Sequence, residues 1–218
     1  MTYLFDFFKN MRTFHARTRV YRNGLFAPEL SDESGGANLP LHIMHVGRIS
    51  GSVEWRIAAD PQKVFLTARL EVSDSADLHI IIDASERGAF FDGLVFCKNA
   101  GIFTLTVEGN NNADDTEINC AARIVAGSGS SSDLSGVANI AMGVKGAKSD
   151  INFAALLSPK ALALKMSPAQ RISSAPLDAR HGAYIYSPGE PEMQYLETAG
   201  LSGPQAESLL ERVFMGEA

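Results

Sequence analysis

A chain of 218 residues fits one domain, or one domain with a small appendage, and its 45% apolar residues suffice to fill a core; a disordered tail and a disulfide-stapled miniprotein are both excluded. With 19 Lys and Arg against 25 Asp and Glu the formal charge is −6, so there is no net attraction for nucleic-acid phosphates or anionic lipid, and neither is expected as a partner. Cys97 and Cys120 stand far apart in a chain with no secretory leader and no apolar run near the ~20 residues of a membrane span, which predicts reduced thiols in a soluble, unprocessed, cytoplasmic protein.

Leu4, Phe5, Phe8 and Met11 fall on one side of a helical wheel, predicting a short amphipathic helix over residues 3–15. Arg22-Asn23-Gly24-Leu25 then carries the Asn-Gly pair of a tight turn, and residues 29–40 are a Ser/Gly/Asn-rich connection. The body begins near Leu41, giving an organisation of 1–40, 41–187 and 188–218. From Ser52 the period is two: Val53, Trp55 and Ile57 alternate with polar neighbours, as do Val64, Leu66, Ala68, Leu70 and Val72. Further strands are predicted at 78–82, 90–96, 102–107, 118–124 and 137–142, separated by Asp/Gly/Asn/Ser turns. Many short strands mean a sandwich, a jelly roll or a β-solenoid, and no strict repeat of fixed length singles out the solenoid.

Residues 161–166 favour helix by propensity, but Pro159 and Pro168 leave little room and Leu162, Leu164 and Met166 alternate, so a strand is expected. The C-terminus changes character. Pro191 opens a first helix that Gly200 ends; Ser202 and Gln205 form an S-x-x-Q capping box for a second, whose apolar stripe is Leu209, Leu210, Val213 and Phe214. These helices are either a lid on the sheet or a docking surface.

Most constellations that bear chemistry fall short of their geometry. His42 and His45 are three apart in a predicted strand, which sends them to opposite faces and argues against a metal pair. His79 and Asp83 share a face, as an acid/base pair would, and a charged rim pair explains that equally well. Residues 143–149 lack the Gly-Lys step of a phosphate loop, and 110–115 lack EF-hand spacing. Cys120 is in phase with Ile118, Ala122 and Ile124, as a buried thiol would be, and two thiols cannot fill the four positions around an iron-sulfur cluster.

The tail Ala179-Arg180-His181-Gly182-Ala183, followed by Met193-Gln194-Tyr195-Leu196, Gly200-Leu201 and Leu209-Leu210 to Phe214, resembles the end of the SufB/SufD family of iron-sulfur cluster assembly scaffolds, where the pattern begins Cys-Ser-His-Gly-Ala. Upstream, Ala147-Lys148-Ser149-Asp150, Leu156-Leu157-Ser158, Pro168 and Ile172 fall at family spacings. Val20-Tyr21-Arg22-Asn23-Gly24-Leu25-Phe26 with Pro28-Glu29-Leu30-Ser31 is similar to the N-terminal segment of SufD rather than SufB. Two departures stand out: the chain is shorter than usual members, which implies missing rungs, and the motif cysteine two before the histidine is Ala179.

The resemblance implies an all-β fold, a right-handed parallel β-helix with short helical ends. It implies a non-catalytic scaffold paired with a SufB-type chain or a second copy of itself, its open edge extended by partner strands. It also implies docking to a SufC-type ATPase, for which the tail supplies Met193, Tyr195, Leu196, Leu209, Leu210, Val213 and Phe214. No cofactor is expected to stay bound; an iron-sulfur cluster would pass transiently through a shared interface, where His181 would face it as a neutral imidazole ligand to iron. Two other readings stay open: a β-helix carbohydrate lyase or hydrolase using Asp83, Asp92 or Asp114, and a self-assembling structural module.

Overall fold

The computed structural model describes residues 17–32, 39–174 and 178–216; the helix predicted over 3–15 lies outside them. Thirteen strands follow one another: β1 (Arg17–Arg22), β2 (Leu25–Phe26), β3 (Leu41–Arg48), β4 (Gly51–Ala58), β5 (Val64–Val72), β6 (Ser75–Ala84), β7 (Phe90–Asn99), β8 (Ile102–Asn111), β9 (Glu117–Ala126), β10 (Ser131–Ile140), β11 (Lys148–Leu157), β12 (Ala163–Ile172) and β13 (Asp178–Tyr186). Two helices close the chain, α1 (Glu190–Thr198) and α2 (Gly203–Phe214). One sheet runs β13-β11-β9-β7-β5-β3-β1-β2 and the other β12-β10-β8-β6-β4. Apart from the antiparallel β1–β2 hairpin, each strand pairs in parallel with the strand two on, so the chain winds between two sheets as a parallel β-solenoid of about six turns.

Alternation builds the interior. Val64, Leu66, Ala68, Leu70 and Val72 of β5 point inward and are buried, and in-register parallel pairing stacks like phases into columns, so Leu66, Gly93, Cys120 and Ile151 share one column along the axis. Both sheets contribute to one apolar core that includes Phe91, Phe103, Phe153, Leu105 and Ile118. Large residues fit because small ones face them: a Cβ on Gly136 would lie 2.8 Å from Ile151 Cγ2 and 2.9 Å from Phe153 Cζ, closer than packing allows.

The absence of a fixed repeat has a structural cause. One turn takes 23 residues from Leu41 to Val64, 27 from Phe90 to Glu117 and 31 from Glu117 to Lys148, because strand lengths are held while the connections vary. Three expectations need correction. β10 starts at Ser131 and ends at Ile140, ahead of the predicted 137–142, because its first half places buried Ser132 beside Leu134 on the inward row and so shows no apolar alternation. β11 and β13 have no counterpart among the strands predicted from alternation, since polar Asp150 and Asn152 and the short Ala-rich run blur the pattern. β12 runs through Pro168 rather than stopping before it, which an edge strand tolerates because one of its sides needs no ladder donors.

The two ends of the solenoid differ. At the first turn, Tyr21 stacks on His45 at 4.5 Å between ring centroids and His45 stacks on Trp55 at 3.7 Å, the rings 8° and 20° from parallel. His45 is in phase with buried Ala68, so this stack lies over the inward column as a cap, and burial lowers its imidazole to about 4. His42 points to the outer face, where Nε2 lies 3.0 Å from Thr67 Oγ1.

At the C-terminus, Ser202 N–H donates to Gln205 Oε1 as the reciprocal half of the predicted capping box. The end of α2 lies on the outer face of the longer sheet, where Met215 and Phe214 pack with Phe96, Val125 and Leu156. Arg123 donates to the Phe214 carbonyl at 3.1 Å, and Lys98 pairs with Glu211 at 3.5 Å.

Candidate functional site at the open end of the solenoid

Among the described residues, β12 and β13 are the last strands of their sheets, and each leaves one edge unpaired. Their inward rows continue the columns beneath them. His181 pairs with Ile151 and Ala183 with Phe153; Gln170 pairs with Ala138 and Pro168 with Gly136. Since Ile151, Phe153 and Ala138 belong to the core, the pleat turns His181, Ala183, Gln170 and Pro168 toward the axis as well. Among the described residues, no further rung covers them. His181 is exposed, and apolar Ile185 on the same row is 51% exposed.

Ala179 shares the inward face with His181, two residues away, and packs on the turn cluster of Ile140, Val144 and Ala147. A thiol at that position would share the mouth with the imidazole; here a methyl group does. The chain's own thiols do not replace it. Cys120 lies in the His181 column with Ile151 between them, is 2% exposed, and is pushed up to about 12 by burial and by nearby Asp92. Cys97 is fully buried, and burial raises its thiol further still. Both are inert core sulfurs.

The apolar stripe of the tail divides between two surfaces. Ala206 is fully buried and Phe214 is half-buried against the sheet, whereas Val213 is 52% exposed and Leu209 lines a surface groove with Leu201, Pro204 and Arg212. A second groove is formed by Tyr186, Pro191, Tyr195, Leu196 and Leu210, with Tyr195 73% exposed. Met193 is half-buried on α1. The helices therefore act as a lid through one face while leaving another to solvent.

The remaining candidates are scattered. Asp83 lies on the outer face of the shorter sheet and accepts from Asn110 Nδ2 at 2.9 Å; Asp92 lies on the outer face of the other sheet; Asp114 sits in the turn before β9 and accepts from Lys145 N–H. No two of these carboxylates meet. His79 lies between Glu54 and Glu108, each 3.8 Å away, and does not contact Asp83 through any bond found for either. Of residues 143–149, the first five form the turn into β11, with Gly143 and Gly146 at positive φ, and Lys148 and Ser149 open the strand. Gln170 is the residue of the open end that the sequence reading passed over; its signal was an amide recurring in phase with core positions on a strand interrupted by Pro168.

The described residues thus form a parallel solenoid with an uncovered last turn and a helical tail docked on its flank. Residues 71–214 match the family model described as SUF system FeS cluster assembly, SufBD core domain, and the chain belongs to that family. The match runs from the end of β5 through α2 and so contains the open end, His181 and both helices. No curated protein matches the chain. Family membership makes iron-sulfur cluster assembly by the SUF system the process in which it takes part. Among the described residues, no helix is long and apolar enough to cross a membrane.

Proposed function

We propose that this chain is a SufD-like, non-catalytic scaffold subunit that pairs end to end with a SufB-type scaffold through its last turn and carries a SufC-type ATPase on the outer face of its helices. The observation that carries this reading is the uncovered inward row at β12 and β13, with His181 in it. An unpaired sheet edge beside exposed Ile172, Tyr184 and Ile185 is suited to extension by strands of another chain, which would bury those side chains. The Asn-Gly turn between β1 and β2, with both residues at positive φ, supports the SufD-like assignment of the N-terminal segment.

In such a pair His181 offers a neutral imidazole to iron in a cluster held between chains, and the partner supplies the thiols. The cluster is cargo, assembled and released. Tyr195 and Val213 present the apolar contacts for the ATPase, which hydrolyses ATP and moves the pair.

The test is reconstitution with the SufB-type scaffold and SufC-type ATPase of the same organism. Wild-type chain should co-elute with both on size exclusion. His181→Ala should melt within about 0.5 kcal/mol of wild type, as an exposed side chain does, and still form the complex, while anaerobic cluster formation read by visible absorbance falls sharply. Full cluster yield from the variant complex would remove His181 from the site. Tyr195→Ala with Val213→Asp should release the ATPase alone; deletion of 188–218 would also strip Phe214 and Met215 from the sheet and is the poorer test.

A further inference from the structure

Four side-chain polar atoms among the described residues are buried without a hydrogen-bond partner: His79 Nε2, Asn111 Nδ2, Ser149 Oγ and Gln170 Nε2. Two of the four belong to the inward rows of the last two turns. Ser149 lies one rung beneath Ala179, and Gln170 is on the terminal rung itself. A buried donor left unpaired costs about 1–3 kcal/mol, and Gln170, on the terminal rung, meets no acceptor among the described residues.

Their position relative to His181 follows from the packing one rung below. Gly136 faces Ile151 and Phe153 across the interior, and Ala138, two residues further along β10, faces the part of β11 that begins with Ser149 and Ile151. Translation by one rung carries Ala138 to Gln170, Ser149 to Ala179 and Ile151 to His181. The half-buried Gln170 side chain, its Nε2 covered, therefore lies on the floor of the mouth from the opposite sheet, facing the wall that holds Ala179 and His181. Every other residue beneath it in its column, Ile57, Ile82, Gly109 and Ala138, is apolar, so the amide is not part of a polar ladder within the solenoid.

We infer that Gln170 belongs to the same site as His181 and, on docking of the partner, turns its covered amide N–H outward to donate to a sulfur acceptor held against the imidazole, a partner thiolate or a cluster sulfide. This rests on the proposed cluster-handling role of His181 and adds a positioning residue from the other sheet. The division of labour is chemical: the imidazole has a lone pair for iron, the carboxamide N–H has none and can only donate, and a sulfur bound to iron is an acceptor that bonds with such donors and is tuned by them.

The experiment uses the full chain in complex with the SufB-type scaffold and SufC-type ATPase, loaded anaerobically with ferrous iron and sulfide, and compares Gln170→Leu, Gln170→Glu and His181→Ala. Gln170→Leu should leave the melting temperature of the free chain unchanged or raised, because it removes an unpaired donor, and should still form the complex. Its cluster absorbance should decay ~10-fold faster under chelator, the usual scale of losing a partner to a metal-bound ligand. Gln170→Glu keeps the length but puts negative charge against sulfur and should lose the cluster at least as fast. Decay at the wild-type rate in both variants, with His181→Ala defective, overturns the role of Gln170 and leaves that of His181. A lowered melting temperature with unchanged decay makes the amide structural and also overturns it. Wild-type behaviour of all three variants overturns the cluster-handling reading of the mouth itself.

Discussion

The solenoid finishes its two ends in opposite ways. At the first turn the inward column meets the ring stack of Tyr21, His45 and Trp55, with the β1–β2 hairpin and the Val20, Met44 and Val46 cluster beside it. At the last turn the inward column meets nothing among the described residues, and imidazole, amide and aliphatic side chains stand in positions that are buried one rung earlier. Stacked repeats bury their faces only against neighbours, so each terminal rung needs a cap. The comparison teaches that one cap is internal to this chain, while the other end is where the proposed partner would supply one.

Breaking the internal cap should give the largest effect. Trp55→Ala removes the outer ring of the stack and should destabilise the chain by about 3 kcal/mol in urea unfolding, whereas Ile185→Ala at the open end, already 51% exposed, should cost less than about 0.5 kcal/mol. Equal losses would mean that the two ends are built alike.

Acid should then separate the ends without mutation. Burial holds His42 and His45 at about 4, below the 6.5 of an unfolded imidazole, so the unfolded chain takes up protons more readily. The stability this represents is fully present above pH 6.5, is lost as pH falls from there through 4, and amounts to about 2 to 3 kcal/mol for His45. Asp92 works the other way: burial and then Glu117 raise its carboxyl, so its contribution fades as pH rises. Hydrogen exchange at pH 4.5 should show β1, β3 and β4 losing protection before β9 to β11; uniform loss would refute local opening at the cap.

The smallest effect on folding and the sharpest on assembly is expected from Ile185→Lys. A charge on the exposed inward row of an edge strand blocks strand addition while leaving the free chain within about 0.5 kcal/mol of wild type. Retained binding of the SufB-type scaffold on size exclusion would place the pairing surface elsewhere.

What was legible in the sequence followed the strength of alternation. β5 and β9 read clearly because each buries every second residue against both neighbouring rungs, and the phase of Cys120 with Ile118 and Ile124 was enough to make it a core thiol. The solenoid itself was not separable from a sandwich, because variable connections hide the repeat that uniform pairing creates. β11 and β13 escaped because small residues and asparagines suit a ladder whose neighbours supply the bulk. His181 was visible only through the motif around it; its inward phase depends on pairing with Ile151 across some thirty residues of intervening chain, which no local pattern records. Gln170 was hidden for the same reason, and by Pro168 beside it. The tail was legible as two helices, but its stripe was not legible as two faces, since Val213 and Phe214 adjoin in sequence and part company in space.

The variable connections also set a rule for size. Because each strand docks on its neighbour through the same in-register ladder, a complete turn can be removed or added at the cost of one rung spacing, about 4.8 Å, with both terminal structures carried along unchanged. The distance from the aromatic stack to the histidine is thus a quantised length, counted in whole turns, and scaffolds of different length can present the same mouth to the same partner.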